Sequence, residues 1–220
     1  MKRITLLAVL IAFSLGSWAQ TRMQLAFTAS PSINWLSSSG HEVNSQKAIL
    51  GYDFGISGDL FFSENEHYSL LTGLQIINTG GKIGYSAKQD FPFSGATLPA
   101  NTEIKYRLRY LEIPMSIKLK TNQFHRLYYW GLFGLSAMVN IGANGDSSDG
   151  TFKKDNIHDE VNMFNLAMNV GAGFDFDLGA NNSFSAGLIF QNGLTDVTTN
   201  NYFNDKTVVN SLKLKLALIF

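Results

Sequence analysis

The sequence predicts an all-β fold, an eight-stranded antiparallel up-and-down transmembrane β-barrel. Apolar and polar residues alternate with a period of two in eight segments, and the connections between these segments alternate between short and long. The large apolar side chains on one parity would not fit inside an eight-stranded ring, whose interior holds little more than packed side chains or one small ligand. We therefore expect the apolar parity to face lipid and the small polar parity to face inward.

The composition excludes several other classes of protein. The 220 residues include 17 Lys+Arg and 17 Asp+Glu, so no net charge attracts nucleic acid. The absence of cysteine excludes disulfides, thiolate metal sites and a cysteine nucleophile. Charged residues make up 15% of the chain, which is below the roughly 25% typical of soluble domains.

The N-terminal residues have the features of an export signal. Lys2 and Arg3 precede an apolar run, and Ser17 and Ala19 supply the small residues that signal peptidase accepts. The run of about twelve apolar residues is too short for a transmembrane helix, which needs ~20. We expect residues 1–19 to be a signal peptide, cleaved near Ala19, and residues 20–220 to form the outer-membrane β-barrel.

The first three segments each place apolar residues on one parity and small or polar residues on the other. The apolar positions are odd in residues 23–36 and even in residues 49–62. They are even again in residues 68–77, although Leu71 and Ile77 on the other parity blur the pattern. Each segment is long enough to cross the apolar part of a membrane as a strand.

The fourth segment changes parity part of the way along. Its apolar residues occupy even positions in residues 104–110 and odd positions in residues 111–119. A one-residue insertion of this kind is typical of a β-bulge, and Pro114 nearby fits a disturbed ladder. We expect the bulge between Tyr110 and Leu111, with both apolar sets facing outward.

The last four segments repeat the alternation of the first three. The apolar positions are odd in residues 127–141 and even in residues 164–176, 183–191 and 210–220. Aromatic residues near the ends of segments are expected to form girdles at the two membrane interfaces. These residues are Trp35, Phe61, Phe62, Tyr68, Tyr128, Tyr129 and Trp130.

A limited set of charged side chains is expected inside the barrel. Lys213 and Lys215 alternate with leucines in the last segment, and each would cost ~2–4 kcal/mol on the lipid face near the middle of the bilayer. For Glu112 we favour a structural ion pair over a proton relay. The predicted interior charges are Asp53, Arg107, Arg109, Glu112, Lys118, Asp175, Lys213 and Lys215.

A five-residue motif in the fourth segment carries a family resemblance. The motif is Tyr110, Leu111, Glu112, Ile113 and Pro114. With the export signal, the eight segments and the terminal LKLALIF, it resembles the PorT-like outer-membrane β-barrel family of Bacteroidota. The resemblance covers essentially the whole mature chain and implies a Gram-negative outer membrane and an OmpX-like architecture. It also implies that Leu216, Leu218 and Phe220 form a C-terminal signal for the barrel-assembly machinery.

No catalytic, cofactor or metal site is expected, and the protein is predicted not to be an enzyme. The acidic loop at residues 144–160 does not match the spacing of a calcium-binding loop. The leading function is an envelope scaffold or a loop-mediated binding protein. An accessory role in type IX protein secretion and gliding, and a narrow conduit for small solutes, stay open. The expected partners of this monomer are outer-membrane lipid, the assembly machinery and an envelope or secretion protein.

Overall fold

Eight long strands form one closed antiparallel barrel in the computed structural model. The structure describes residues 22–39, 43–45, 47–62, 66–85, 89–91, 96–98, 102–150, 153–199 and 206–220. The strands are β1 (Met23–Ser38), β2 (Ile49–Phe61), β3 (Tyr68–Tyr85), β4 (Thr102–Lys120), β5 (Leu127–Ser147), β6 (Phe164–Gly179), β7 (Asn182–Gly193) and β8 (Thr207–Ile219). Each strand pairs with the next in the chain, and β8 pairs with β1 to close the ring. The predicted fold class is confirmed.

The two ends of the barrel differ in their connections. The β2–β3, β4–β5 and β6–β7 connections are short and lie at the end where β1 begins and β8 finishes, which we call the short-turn end. The other four connections are longer and lie at the long-loop end. They contain the short strands Val43–Ser45, Gln89–Phe91, Ala96–Leu98 and Lys153–Asn156 and the 3-10 helix His158–Glu160. No helix in the described part of the chain is long and apolar enough to cross a membrane.

The outer wall of the barrel carries a continuous apolar belt. Large apolar side chains of all eight strands are exposed there, including Phe27, Phe54, Leu74, Ile113, Phe133, Val170, Leu188 and Leu214. The alternate residues of the same strands, which point into the lumen, are buried and include Ser, Thr, Asn and charged residues. This sorting is the reverse of a soluble barrel and matches the pattern of a transmembrane barrel.

Strand β4 keeps one parity along its whole length, so the predicted bulge was wrong. Its even residues are buried from Thr102 to Lys118. The register shift lies in β5, where Arg109 pairs with Gly142 and Tyr110 pairs with Asn140. In β4 the even residues face the lumen along the whole strand. They are apolar between residues 104 and 110 because the lumen itself is apolar at this level.

Candidate functional site in the barrel lumen

Side chains fill the lumen in three layers. The lower polar layer, toward the short-turn end, consists of Asp59, Lys118, Lys120, Trp130, Asp175 and Lys215. The middle polar layer consists of Asp53, Glu112, Gln191 and Lys213. The apolar layer, toward the long-loop end, consists of Leu36, Ile77, Ile83, Tyr85, Ile104, Tyr106, Leu108, Tyr110, Met138, Ala143, Ile157, Val161, Ala167, Val197 and Val209.

Two lysines and two aspartates form an ion-pair network in the lower polar layer. Lys118 Nζ lies 2.8 Å from Asp59 Oδ2 and 3.3 Å from Asp175 Oδ2. Lys120 Nζ lies 3.3 Å from the same Asp175 oxygen. A buried charge is costly unless it is paired, so each of these groups stabilises the burial of the others. The network joins β2, β4 and β6 across the lumen.

Trp130 fills the space beside this network. Its ring lies 5.6 Å from Lys118 Nζ and 5.5 Å from Lys215 Nζ, within the range of cation–π attraction. A Cβ atom at Gly173 or Gly187 would lie 2.5 Å from the indole ring. The absence of a side chain at both positions therefore makes space for the indole ring.

Lys213 holds the middle polar layer together. Its Nζ lies 2.7 Å from Asp53 Oδ2 and 3.4 Å from Glu112 Oε2. Gln191 Nε2 donates a hydrogen bond of 2.6 Å to Glu112 Oε1. The four residues come from β2, β4, β7 and β8. Glu112 is thus one member of an ion-paired network and has its second oxygen satisfied by an amide.

The two polar layers together have no formal net charge. They contain four lysines, Lys118, Lys120, Lys213 and Lys215, and four carboxylates, Asp53, Asp59, Glu112 and Asp175. A lumen with balanced charge does not concentrate ions of one sign. Seven of these eight charged groups form ion pairs with one another, and Lys215 lies over the Trp130 ring.

The apolar layer closes the lumen on the side of the long loops. Tyr110 and Ile77 are completely buried. The hydroxyl groups of Tyr85 and Tyr106 are hydrogen-bonded at 2.7 Å, which satisfies these two polar atoms among apolar neighbours. Ile157, from a long loop, packs into the same layer.

The cavity beside the middle polar layer is small. It has a volume of about 40 Å³ and is lined in part by Thr28, Ser30, Ser116 and Lys213. A cavity of this size has room for a few water molecules at most. In the described part of the chain, this space offers no passage for a solute molecule.

Six of the eight predicted interior charges lie in the polar layers, and two do not. The six are Asp53, Glu112, Lys118, Asp175, Lys213 and Lys215. Arg107 and Arg109 lie on the outer wall, so their predicted interior position was wrong. Arg109 Nε donates to Asn78 Oδ1 at 3.1 Å, and an Arg107 guanidinium nitrogen lies 2.6 Å from Asp146 Oδ2. Tyrosine and leucine side chains of β4 fill the inward positions at this level.

The five residues from Tyr110 to Pro114 alternate between the two faces of β4. Tyr110, Glu112 and Pro114 are buried in the lumen, whereas Leu111 and Ile113 lie on the belt side. The predicted C-terminal signal lies on the outer face: Leu218 and Phe220 are exposed, and Leu216 shares their parity. The Phe220 ring meets the Phe27 ring edge to face, with centroids 5.8 Å apart.

Two features of the lumen escaped the sequence interpretation. Trp130 and Phe61 were assigned to interfacial girdles, but both are buried. The apolar layer was missed as a whole, because its residues share the chemistry of the belt. Two signals of this layer were present in the sequence: Ile77 on the polar parity of β3, and the change of apolar parity in β4 near residue 110.

Comparisons with known proteins give one family. The family model described as outer membrane protein beta-barrel domain matches residues 18–199. None of the curated proteins compared with the chain matches it.

Three solved structures are similar to the barrel. Neisserial surface protein A is 13% identical, with a TM-score of 0.49, and the alignment covers 89% of this chain and 95% of that one. Ail, the attachment invasion locus protein of Yersinia pestis, is 12% identical, with a TM-score of 0.43 and coverage of 90% and 99%. OprG of Pseudomonas aeruginosa is 9% identical, with a TM-score of 0.42 and coverage of 90% and 95%.

The family match extends over most of the eight strands. An outward apolar belt and a closed antiparallel sheet are what a β-structure needs in order to lie within a bilayer. The protein belongs to the outer membrane protein β-barrel domain family and is an integral protein of the Gram-negative outer membrane.

Proposed function

We propose that the protein is a non-enzymatic barrel that anchors in the outer membrane and presents its long-loop end to a partner in the cell envelope. The observation that carries this proposal is the filled lumen. Two ion-paired layers and one apolar layer follow one another along the axis, and the cavity beside the middle layer holds about 40 Å³. These layers support an anchoring role over conduction.

Hydrogen bonds between two long loops support a presenting role. Asn162 Nδ2 donates to the carbonyl oxygens of Asp196 and Thr198, at 3.0 and 2.9 Å. Asp196 Oδ1 in turn accepts from the backbone N–H groups of Thr198 and Thr207. The β5–β6 and β7–β8 loops are therefore joined to each other above the apolar layer. A joined surface loses less conformational entropy when it binds a partner than free loops would lose.

Conductance measurement tests the proposal against the narrow conduit. The full-length mature protein is inserted into a planar lipid bilayer in concentrated potassium chloride, with a general porin as the positive control. We expect no steady unitary conductance, because the three layers leave no water-filled path. Steady unitary currents from the folded barrel would contradict the anchoring role and support the conduit.

A finer assignment, to the PorT-like barrels of Bacteroidota, is also part of the proposal. It is supported by the motif from Tyr110 to Pro114 and by the C-terminal alternation that ends at Phe220. This assignment adds type IX secretion or gliding as an alternative role for the joined loops. Deletion of the gene and comparison of exported proteins separate the two roles, since only the secretion role predicts loss of cargo from the medium.

The remaining proposals concern the path of the chain to the membrane. Residues 1–19 are proposed to be a cleaved signal peptide, and Leu216, Leu218 and Phe220 to be read by the barrel-assembly machinery. The mature barrel is proposed to be a monomer, because the ring of strands is already closed by the β1–β8 pairing.

A further inference from the structure

The lysines and arginines of the barrel wall fall into two sets. The eight strands contain eight such residues, and four of them, Lys118, Lys120, Lys213 and Lys215, lie in the lumen. The other four lie on the outer wall, all on the neighbouring strands β3 and β4. We call this set the basic patch: Lys82, Lys105, Arg107 and Arg109. The rest of the outer wall formed by these eight strands has no lysine or arginine, although Lys153 of a short loop strand lies opposite Asp146 beside the patch.

Strand register brings the members of the basic patch together. Lys82 is directly opposite Lys105, and Asn78 is directly opposite Arg109. Directly opposite residues share a face of the sheet, and like charges in such positions are destabilising. The Lys82–Lys105 pair is therefore a site where a bound anion would relieve repulsion.

The neighbouring carboxylates do not balance the basic patch. Glu103 and Asp146 lie on the same face, and Asp146 pairs with Arg107. Four cations against two carboxylates leave a formal excess of two positive charges. Arg109 is exposed, and its side chain donates to the neutral amide of Asn78.

A groove of about 310 Å³ lies beside the basic patch on the outer wall. Leu50 and Tyr52 line one side, and Arg107 and Arg109 line the other. Gly142, opposite Arg109, has only the Arg109 Cβ within 4 Å of the position a side chain would take, so the groove is open there. The groove is thus apolar on one side and cationic on the other.

The apolar belt continues from the groove toward the short-turn end. The outward residues of β2 and β3 next in line are Phe54, Leu74 and Ile76. Short turns of outer-membrane barrels face the periplasm and long loops face outside. The basic patch therefore lies at the level of the headgroups of the outer leaflet, directly above a surface that contacts acyl chains.

We propose that the basic patch and its groove bind the phosphorylated headgroup of an outer-leaflet glycolipid. Arginine binds phosphate through paired charge-assisted hydrogen bonds. The apolar side of the groove and the belt below it accommodate the acyl chains of the same molecule. A soluble anion would use only the cationic side of the groove.

Native mass spectrometry of the full-length mature protein in detergent micelles tests this site. The probes are lipid A with two phosphate groups and the same lipid after removal of its phosphates. We expect the phosphorylated lipid to bind wild type at least about tenfold more tightly, as expected for several charge-assisted hydrogen bonds. The double variant Arg107→Gln/Arg109→Gln is expected to lose this preference. Equal binding of both lipids to wild type, or an unchanged preference in the double variant, would overturn the proposal.

Two further variants and one competitor sharpen the experiment. Arg22→Gln/Arg126→Gln removes two positive charges from exposed positions at the short-turn end and should leave lipid binding unchanged. Gly142→Leu keeps every charge but fills the groove, and it should weaken binding of both lipids. Inorganic phosphate at the lipid's concentration should not displace the lipid; displacement would identify a site for free phosphate instead. Heat-dependent migration on gels confirms that each variant is folded.

Discussion

Asp53 and Glu112 approach the ammonium group of Lys213 from two different strands, β2 and β4. All three side chains are buried. Removing a buried charge from water costs several kcal/mol, and only a partner in good geometry compensates for it. The stability of this part of the lumen therefore depends on the complete set of charges.

Asp53→Asn is expected to destabilise the barrel by about 3–5 kcal/mol, because it leaves Lys213 buried without its nearest carboxylate. The measurement is urea-induced unfolding of the purified protein in detergent, followed by tryptophan fluorescence. The exposed Asp155→Asn change in a loop strand serves as the control and should alter stability by less than about 0.5 kcal/mol. Equal effects of the two changes would show that the ion pair contributes nothing.

Residue chemistry explains which interior charges the sequence could predict. Lys213 and Lys215 alternate with leucines, so their direction follows from the cost of a charge in lipid. Arg107 and Arg109 alternate with Leu108 and Tyr110 in the same way, yet they face outward, because they lie beyond the apolar belt. Whether a charged side chain can face outward depends on the depth of its residue in the membrane. The sequence of one strand alone does not give that depth.

At the scale of elements, β8 closes the barrel by pairing with both β1 and β7. Its outward residues end in Phe220, whose ring packs against Phe27 of β1. The same strand forms one side of the seam at which the ring closes. Its outward residues therefore take part in the final packing, and we propose that the assembly machinery reads the same residues.

Phe220→Ala is expected to lower the amount of folded barrel in the outer membrane of cells several-fold, because it removes the proposed assembly signal. The ring contact itself is worth only about 1 kcal/mol, so the purified variant should refold into lipid vesicles as wild type does. Both amounts are measured by heat-dependent gel migration. Phe62→Ala, which removes another exposed aromatic residue at the short-turn end, is the control. Failure of refolding in vesicles would assign Phe220 a purely structural role.

Strand β4 shows what a hydrophobic period reports. Its apolar residues change parity near residue 110, but its backbone does not. A period of two identifies the strand, and the parity identifies the environment of each face. Where lumen and lipid are both apolar, as beside residues 104–110, parity no longer gives the direction of a side chain. No residue pattern in β5 predicts the register shift found between Asn140 and Gly142.

The whole molecule has two unlike ends, and their places relative to the membrane follow from the lengths of the connections. The chain has no native cysteine, so a single introduced thiol can report its own location. Both Asp155, in a loop strand, and Asn122, in the β4–β5 turn, are exposed positions.

We expect a membrane-impermeant maleimide to label Asp155→Cys on intact cells, and Asn122→Cys only after the outer membrane is permeabilised. The reason is that the two residues lie at opposite ends of the barrel. Labelling is measured on the isolated protein by mass shift, and the cysteine-free wild type is the blank. Labelling of Asn122→Cys on intact cells would reverse the orientation.

Ring closure, strand number and the outward belt could be predicted from the sequence, because each depends on local alternation and on connection length. The division of the lumen into polar and apolar layers could not. Each layer is built from residues of several strands at one height, and height depends on the stagger between strands. Asp175 and Lys118, for example, meet only because β4 and β6 are staggered as they are.

The fit of Trp130 against Gly173 and Gly187 makes the indole a removable filler. Its replacement by a small residue would leave a chamber of about the size of an indole in the lower polar layer, while every contact with the bilayer stayed as it is. The vacated chamber would be flanked by two ammonium groups, those of Lys118 and Lys215. An aromatic carboxylate of the size of an indole matches such a chamber in shape and in charge. The barrel is therefore a ready framework for engineering a guest-binding container.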